Sequence, residues 1–211
     1  ILRSNELEDT LSIEVYRFVG EELQLLEGEL NGEPLETIVQ VPTPAAASSG
    51  VEYTYAEISD NSGQLFVSVP TQWGDVNGEE WLVNGEVVGI GIRVAPNLED
   101  FYAGWDVPGL FFGASETLAA NYDTIEDVLD DYVFENSCTF GSRESFEDEF
   151  YTGGYDIWTD CGGEDGSILV NMVVTEIDNS INLILLQLVV TSEAEIEAFE
   201  EIRNSFFVVN E

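Results

Sequence analysis

The chain has 211 residues, 44% of them hydrophobic and 11% aromatic, enough to fill the core of one sizeable domain or of a small domain plus part of another. Its 43 acidic residues face only five arginines, without lysine or histidine, so the formal net charge is −38. This composition excludes nucleic acid as a partner, a histidine-dependent catalytic triad and a histidine-ligated zinc site.

The acidity has two interpretations. It can serve a basic partner or bound divalent cations, or it can form a solvated surface adapted to high salt. Carboxylates occur across almost every predicted element instead of in one block, which favours high-salt adaptation. At about 1 M salt the Debye length is about 3 Å, so neighbouring like charges largely cease to repel each other. We therefore predict a melting temperature that falls as NaCl is removed.

The first 41 residues carry strand patterns. Alternating apolar and polar residues predict strands over residues 11–18, 23–30 and, after the turn at Asn31-Gly32, 35–41. Residues 42–50 are small and contain two prolines, which is typical of a linker. We expect a partial β segment at 1–41, a linker at 42–50 and a second domain at 51–211.

The second domain opens with two predicted hairpins. The first has strands at 51–58 and 64–69, and the second has strands at 80–83 and 86–94 around Asn84-Gly85, where a type I′ turn needs positive φ at both positions. Asn97 then caps a short helix that runs to Tyr102. A strand follows at 110–114.

Helix signals and strand signals alternate in the remainder. Thr124 with Asp127 resembles a capping box, and Ser192 is predicted to cap a last helix with Ile196, Phe199 and Ile202 on one side. Further strands are predicted at 139–146, 150–159, 167–175, 182–190 and 206–209. The order indicates an antiparallel sheet flanked by helices, in the α+β class.

The two cysteines, Cys138 and Cys161, bracket a predicted pair of strands. A disulfide is favoured over free thiols or a metal site, because two thiolates leave a metal's coordination incomplete. Closing the loop would contribute ~3 kcal/mol, and such bonds persist outside the cytosol. We expect an extracellular or cell-envelope location. The start of the chain lacks the basic and apolar regions of a signal peptide, so we expect an internal cut there.

Candidate binding residues are few. The acidic loops at 75–80 and 160–166 lack the ligand spacing of an EF-hand, and no carboxylate pair stands out as catalytic. Tryptophans 73, 105 and 158 are candidates for a ligand surface, although packing in the core or in a groove is the favoured alternative. No cofactor, metal or catalytic residue is predicted, and the apolar run at 181–190 is too short to span a bilayer.

Two parts of the sequence resemble known families. The end of a PDZ domain in bacterial trypsin-like serine proteases of the HtrA kind is similar to Ile1-Leu2-Arg3-Ser4, residues 11–17 and Leu26-Glu27-Gly28-Glu29-Leu30-Asn31-Gly32. The PsbP-like accessory domain of some secreted members resembles residues 67–76, Pro108-Gly109-Leu110-Phe111-Phe112-Gly113-Ala114-Ser115 and the region from Cys138 through residues 151–158 to Cys161-Gly162. This resemblance implies an antiparallel sheet flanked by helices.

The protease triad and the glycine-containing loop of a whole PDZ domain are missing, so the resemblance transfers no catalytic residue. It implies a non-catalytic accessory region that places a secreted serine protease on its substrate, a partner or the cell envelope, with the upstream protease domain or another protein as its partner. The alternatives are an independent extracellular binding domain for a small ligand, glycan or Ca²⁺, and a hydrolase with an acidic pair.

Overall fold

The computed structural model describes residues 2–7, 10–19, 22–26, 52–163, 166–177 and 182–209. The chain divides into two units, Ile1–Ser49 and Gly50–Glu211, and each is described here by itself. The first unit contains an antiparallel sheet of three strands in the order β1-β2-β3, with β1 at Leu2–Leu7, β2 at Thr10–Val19 and β3 at Glu22–Leu26.

The sequence correctly predicts β2 and the start of β3, but it misses β1. The sequence of β1 is short and mostly polar, so it shows no clear strand pattern. The strand pairs with β2, and such a pairing is not visible in the local sequence. The predicted Asn31-Gly32 turn, the strand at 35–41 and the linker at 42–50 lie outside the described residues.

The second unit is of the α+β class, with mostly antiparallel strands and four helices among its described residues. Its elements in chain order are β4 (Tyr55–Ser59), β5 (Leu65–Pro70), β6 (Asp75–Asn77), β7 (Trp81–Val83), β8 (Glu86–Ala95), α1 (Leu98–Ala103), β9 (Gly109–Ser115), α2 (Glu116–Ala119), α3 (Ile125–Asp131), β10 (Thr139–Glu147), β11 (Tyr151–Cys161), β12 (Ser167–Glu176), β13 (Leu183–Val190), α4 (Glu193–Ser205) and β14 (Phe207–Val208).

Two antiparallel sheets result. The large sheet has the strand order β10-β11-β12-β13-β9-β8-β6, with β7 also paired to β8, and the small sheet has the order β14-β5-β4. Hairpins join β10 through β13, whereas β9, which comes earlier in the sequence, pairs with β13 and thereby connects the two halves of the large sheet. This long-range pairing creates the surface described below.

Local signals explain several boundaries. Asn84 and Gly85 have φ of 53° and 84°, as the predicted type I′ turn between β7 and β8 requires. The side chain of Asn97 accepts a hydrogen bond from the Asp100 N–H at the start of α1, and the capping box predicted at Thr124 is confirmed by reciprocal bonds with Asp127.

The start of α4 differs from the prediction. Ser192 occupies the cap position without a side-chain capping bond, and Glu195 instead accepts from the Thr191 N–H at 3.2 Å. Ile196 is exposed, because the buried side of the helix is formed by Ala198 and Ile202. The short elements β6 and α2 were not predicted; with three and four residues, they are too short to show a periodic pattern.

One face of the large sheet, which we call the packed face, is covered by α4 and the small sheet. Its side chains are apolar and form the largest cluster of the core, which includes Leu65, Val67, Ile92, Leu110, Phe112, Met172, Ile184, Leu186, Ala198, Ile202 and Phe206. None of the helices in the described ranges has the length and apolarity needed to cross a lipid bilayer.

Candidate functional site

The opposite face of the large sheet, which we call the open face, carries two smaller apolar clusters. One lies beneath α3 and contains Trp81, Phe111, Val128, Leu129, Val173, Leu183 and Leu185. The other surrounds the cystine and contains Cys138, Trp158, Cys161, Leu169 and Val189. Along β13 the side chains of this face run Leu183, Leu185, Gln187 and Val189, so a polar residue separates the two clusters.

The separation continues across the sheet because polar residues occupy the same register on neighbouring strands. Arg143 is opposite Asp156, Asp156 opposite Asn171, and Asn171 opposite Gln187. Phe111 is opposite both Gln187 and Arg93, so the row continues through one aromatic ring. We call the five polar side chains the polar row: Arg143, Asp156, Asn171, Gln187 and Arg93.

Arg143 pairs with Asp156, the one acid of the polar row. Its Nε lies 2.6 Å from Asp156 Oδ1 and its Nη2 lies 2.9 Å from Asp156 Oδ2, a bidentate pair, while Nη1 lies 2.8 Å from Asp130 Oδ1 of α3. The Asp156 side chain is only 1% exposed. These hydrogen bonds, those to Asp156 above all, raise the pKa of Arg143 above its ordinary value even though burial opposes the charge. The interaction connects α3 to the polar row.

The centre of the row consists of two amides. Gln187 Nε2 donates to Asn171 Oδ1 at 3.0 Å. Asn171 is fully buried, and its Nδ2 has no hydrogen-bond partner within the described parts of the chain. An unpaired buried amide is costly, of the order of 1–3 kcal/mol, so the fold retains Asn171 at this position despite a loss of stability. Its contact with Gln187 orients the neighbouring side chain.

A groove of about 730 Å³ lies between the two clusters, at the end of the polar row that contains Gln187 and Arg93. Its polar lining includes Arg93 and Gln187, with Asn77, Glu79 and Glu80 toward the β6–β7 side. Seven aromatic side chains supply most of the rest: Trp81, Phe101, Tyr102, Trp105, Phe111, Tyr132 and Phe134. The size is within the usual range of 300–1,000 Å³ for small-molecule sites, which are mostly apolar with a few polar groups.

Glycines on β9 make room for three of these aromatic side chains. A Cβ at Gly113 would lie 2.7 Å from a ring atom of Trp81 and 2.8 Å from one of Phe111. At Gly109 a Cβ would come within 2.7 Å of Phe101. Any larger residue would therefore push these rings off the strand. The rings also support one another, since Trp81 meets Phe111 edge to face at 5.1 Å between centroids.

Arg93 is fixed at the other end of the row. Its Nη1 donates to the Glu79 carbonyl at 2.9 Å and its Nη2 to the Glu80 carbonyl at 3.2 Å. The guanidinium carbon lies 5.3 Å from the centre of the Phe111 ring, within cation–π range. Burial raises the pKa of Tyr102 on the groove wall, although the charge of Arg93 acts to lower it.

The predicted disulfide between Cys138 and Cys161 is confirmed. It lies beside Trp158, which packs against Phe134 and Phe140 and is 2% exposed. Trp73 is equally buried, on the packed face, so neither Trp73 nor Trp158 offers a surface to a ligand. Of the three tryptophans proposed as a ligand surface, the structure places only Trp105 in the groove.

The two acidic loops have structural contacts of their own. Asp75 Oδ2 accepts from the Leu98 N–H at 2.9 Å and so holds the start of α1, while Asn77 Oδ1 accepts from the Glu79 N–H. Thr159 donates to Asp160, and residues 164–165 lie outside the described ranges. Within those ranges, no three metal-binding side chains come together.

The sequence did not single out Arg93, Asn171 or Gln187 as site residues. In the sequence, Gln187 only interrupts the apolar run at 181–190, and Arg93 is one of five arginines. The available signals are a polar residue at a buried position of an apolar strand and, in β8 and β9, glycines that lie on one face of each strand. The chain was compared with protein families and with curated proteins, and it matches no family model and no curated protein.

Proposed function

We propose that the second unit is a non-catalytic binding domain that holds a small apolar or aromatic ligand in the groove. The observation that carries this proposal is that seven aromatic side chains meet the polar side chains of Arg93 and Gln187 at one place on the sheet. The packed face belongs to the same strands, but α4 and the small sheet cover its apolar side chains. On the open face the clusters stop short of each other, and the space between them is ligand-sized.

The chemistry of the chain supports binding without turnover. It contains no histidine or lysine, and both of its cysteines form the disulfide, so an imidazole, an amine and a thiolate are not available for catalysis. The buried acid of the polar row, Asp156, is paired with Arg143. The remaining groups at the groove are suited to orienting a ligand through hydrogen bonds.

Binding can be measured with N-phenyl-1-naphthylamine, an uncharged dye that fluoresces when it enters an apolar site. We expect saturable binding to the full chain. Ala103→Trp, at an exposed position on the groove wall, should fill the site and weaken binding at least about tenfold. Ala56→Trp, an equal change at an exposed position on β4, is the matched control and should leave the affinity unchanged. Absence of saturable binding, or equal loss in both variants, would refute the proposal.

The wider role that the resemblance implies is also a proposal: the chain serves as an accessory region of a secreted trypsin-like serine protease, with a PDZ-like β segment followed by a PsbP-like domain. Its support is the quoted motifs, together with a disulfide of the kind that persists outside the cytosol. The gene sequence upstream of Ile1 tests it. An encoded His, Asp and Ser triad followed by a glycine-rich PDZ loop is the expected finding, and an unrelated upstream sequence would contradict it.

A further inference from the structure

We infer that the groove selects small aromatic molecules that carry a carboxylate, and that Arg93 recognises the carboxylate. This inference rests on the proposed function and adds the chemical class of the ligand. It begins from a contrast among the three arginines of the second unit, which all belong to the described residues.

Two of these arginines have acidic partners. Arg143 contacts Asp156 and Asp130, and Arg203 contacts Glu200 one turn away on α4. Arg93 forms no ion pair with any carboxylate that the structure describes, in a chain with 43 acidic residues. Its contacts are two backbone carbonyls, the ring of Phe111 and the hydroxyl of Tyr102, so its positive charge is held in place but not neutralised by a neighbouring anion.

The geometry of Arg93 favours a planar anion. A guanidinium carries five N–H donors, and the Glu79 and Glu80 carbonyls take two of them. Arg93 also forms a hydrogen bond with the Tyr102 side chain on the groove wall. The donors that remain are available to a ligand, and a guanidinium can hold a carboxylate through two parallel hydrogen bonds. Because the side chain is already fixed by these contacts, little of its freedom is lost when a ligand binds.

The surroundings of Arg93 favour an aromatic body on the same ligand. The ring of Phe111 lies beneath the guanidinium and forms the floor of the groove there. Its other neighbour is Trp81, which meets the ring edge to face. A flat ring attached to the carboxylate would therefore lie over an aromatic floor between aromatic walls. A small molecule is the occupant that fits, because about 730 Å³ is the volume of a small-molecule site.

The net charge of −38 repels anions at long range, and the rim of the groove adds Glu79 and Glu80. This repulsion acts through solvent and is largely screened at about 1 M salt, where the Debye length is about 3 Å. Contact between a carboxylate and Arg93 takes place inside the groove, where screening is weaker. The experiment is therefore done in about 1 M NaCl.

Calorimetry with 2-naphthoate and 2-naphthamide, which share the same rings and differ in the charged head group, tests the inference. We expect the acid to bind about tenfold more tightly than the amide, since a hydrogen bond to a charged group is stronger than one between neutral groups. In Arg93→Gln the affinity for the acid should fall to that for the amide, and Arg93→Lys should retain part of the preference. Arg203→Gln changes the net charge equally, far from the groove, and should keep the whole preference.

The possible failures are distinguishable. Equal binding of acid and amide by the natural chain overturns the inference and leaves the proposed function standing, whereas failure of both ligands to bind overturns both. Equal loss of preference in Arg203→Gln and Arg93→Gln means that only the overall charge matters, and this also overturns it. Glycyl-glycyl-phenylalanine and 3-phenylpropionate separate the sources of the carboxylate, since tighter binding of the peptide would identify a chain terminus as the occupant instead of a small molecule.

Discussion

The packed face and the open face of the large sheet are built from the same strands, with alternate residues of β8, β9, β12 and β13 pointing to each. The side chains that point to the packed face are apolar, and α4 and the small sheet cover these side chains. On the open face, neighbouring strands carry polar residues in the same register, where apolar residues would otherwise stand. The apolar clusters are interrupted at this register, and the groove lies between them. The difference shows that one row of polar residues can interrupt an apolar face and leave a groove in its place.

Two adjacent phenylalanines of β9 test this contrast most strongly. Phe112 is fully buried on the packed face, so Phe112→Ala should lower the free energy of unfolding by about 3–5 kcal/mol. Phe111 faces the groove, where water can occupy the space left by its ring, so Phe111→Ala should cost about 2 kcal/mol. Urea unfolding measures both values. Equal costs would mean that the open face is packed as tightly as the other.

The disulfide fastens the end of the open face that α3 does not cover. Its 23-residue separation predicts that replacing both cysteines with alanine lowers the free energy of unfolding by about 3 kcal/mol. The aromatic wall formed by Trp105 and Phe134 packs on this cluster, so dye binding in the groove should weaken as well. A reducing agent should reproduce the loss in the natural chain and have no effect on the variant. A loss of stability without a loss of binding would separate the disulfide from the groove.

The polar row can be broken at its charged end. Arg143→Met leaves Asp156 buried without a partner and should lower the free energy of unfolding by about 2–3 kcal/mol, less than for a fully buried pair because Arg143 is one-third exposed. Adding Asp156→Leu should recover much of this loss, because two apolar side chains can replace a buried ion pair. Chemical denaturation of the single and double variants measures the recovery. Arg203→Met, which leaves only the exposed acid Glu200 without its partner, is the control and should cost under about 1 kcal/mol. If the double variant is no more stable than Arg143→Met, the cost does not come from the isolated acid.

Much of the second unit follows from local sequence. The Asn84-Gly85 turn, the Asn97 cap and the Thr124–Asp127 capping box each depend on residues within one turn of the chain, and all three are present. The buried helix side of α4 was predicted only in part, since Ile196 has helical spacing but no neighbouring element to cover it. Local signals thus locate elements better than they identify the surfaces that meet.

The site could not be derived in the same way. The polar row joins strands that are distant in sequence, and the pairing of β9 with β13 brings Phe111 beside Gln187 across 76 positions of the chain. Alternation assigns Asn171 to one face of a strand, but it does not say that Asp156 and Gln187 occupy the same level on the neighbouring strands. For the same reason the exposure of a tryptophan is not visible from sequence, and Trp105 differs from Trp158 only through what packs on it.

The smallest effect that we predict concerns the turn that supports the cover of the packed face. Asp60, between β4 and β5, accepts hydrogen bonds at 2.8 Å from the Leu65 and Gln64 N–H groups and at 2.9 Å from the Ser62 N–H. Burial alone would raise the pKa of Asp60, but these bonds and one from the Ser62 hydroxyl outweigh it, so the pKa is lowered. The folded state therefore binds this proton less readily than the unfolded chain does, in which an aspartate titrates near pH 3.9.

It follows that the contribution of Asp60 is complete above the unfolded pKa and is lost as the pH falls through the lower, folded pKa. Asp60→Asn should cost about 1.5–2 kcal/mol near neutral pH, because the amide accepts fewer of these bonds. The difference from the natural chain should shrink as the solution is acidified below about pH 4. Urea unfolding across that range measures it, with Asp106→Asn, at an exposed position, correcting for the change in net charge. If the difference in unfolding free energy between the two chains stays constant with pH, the turn depends on the side-chain geometry of Asp60 and not on its charge. The small sheet would then be held on the packed face by apolar contacts alone.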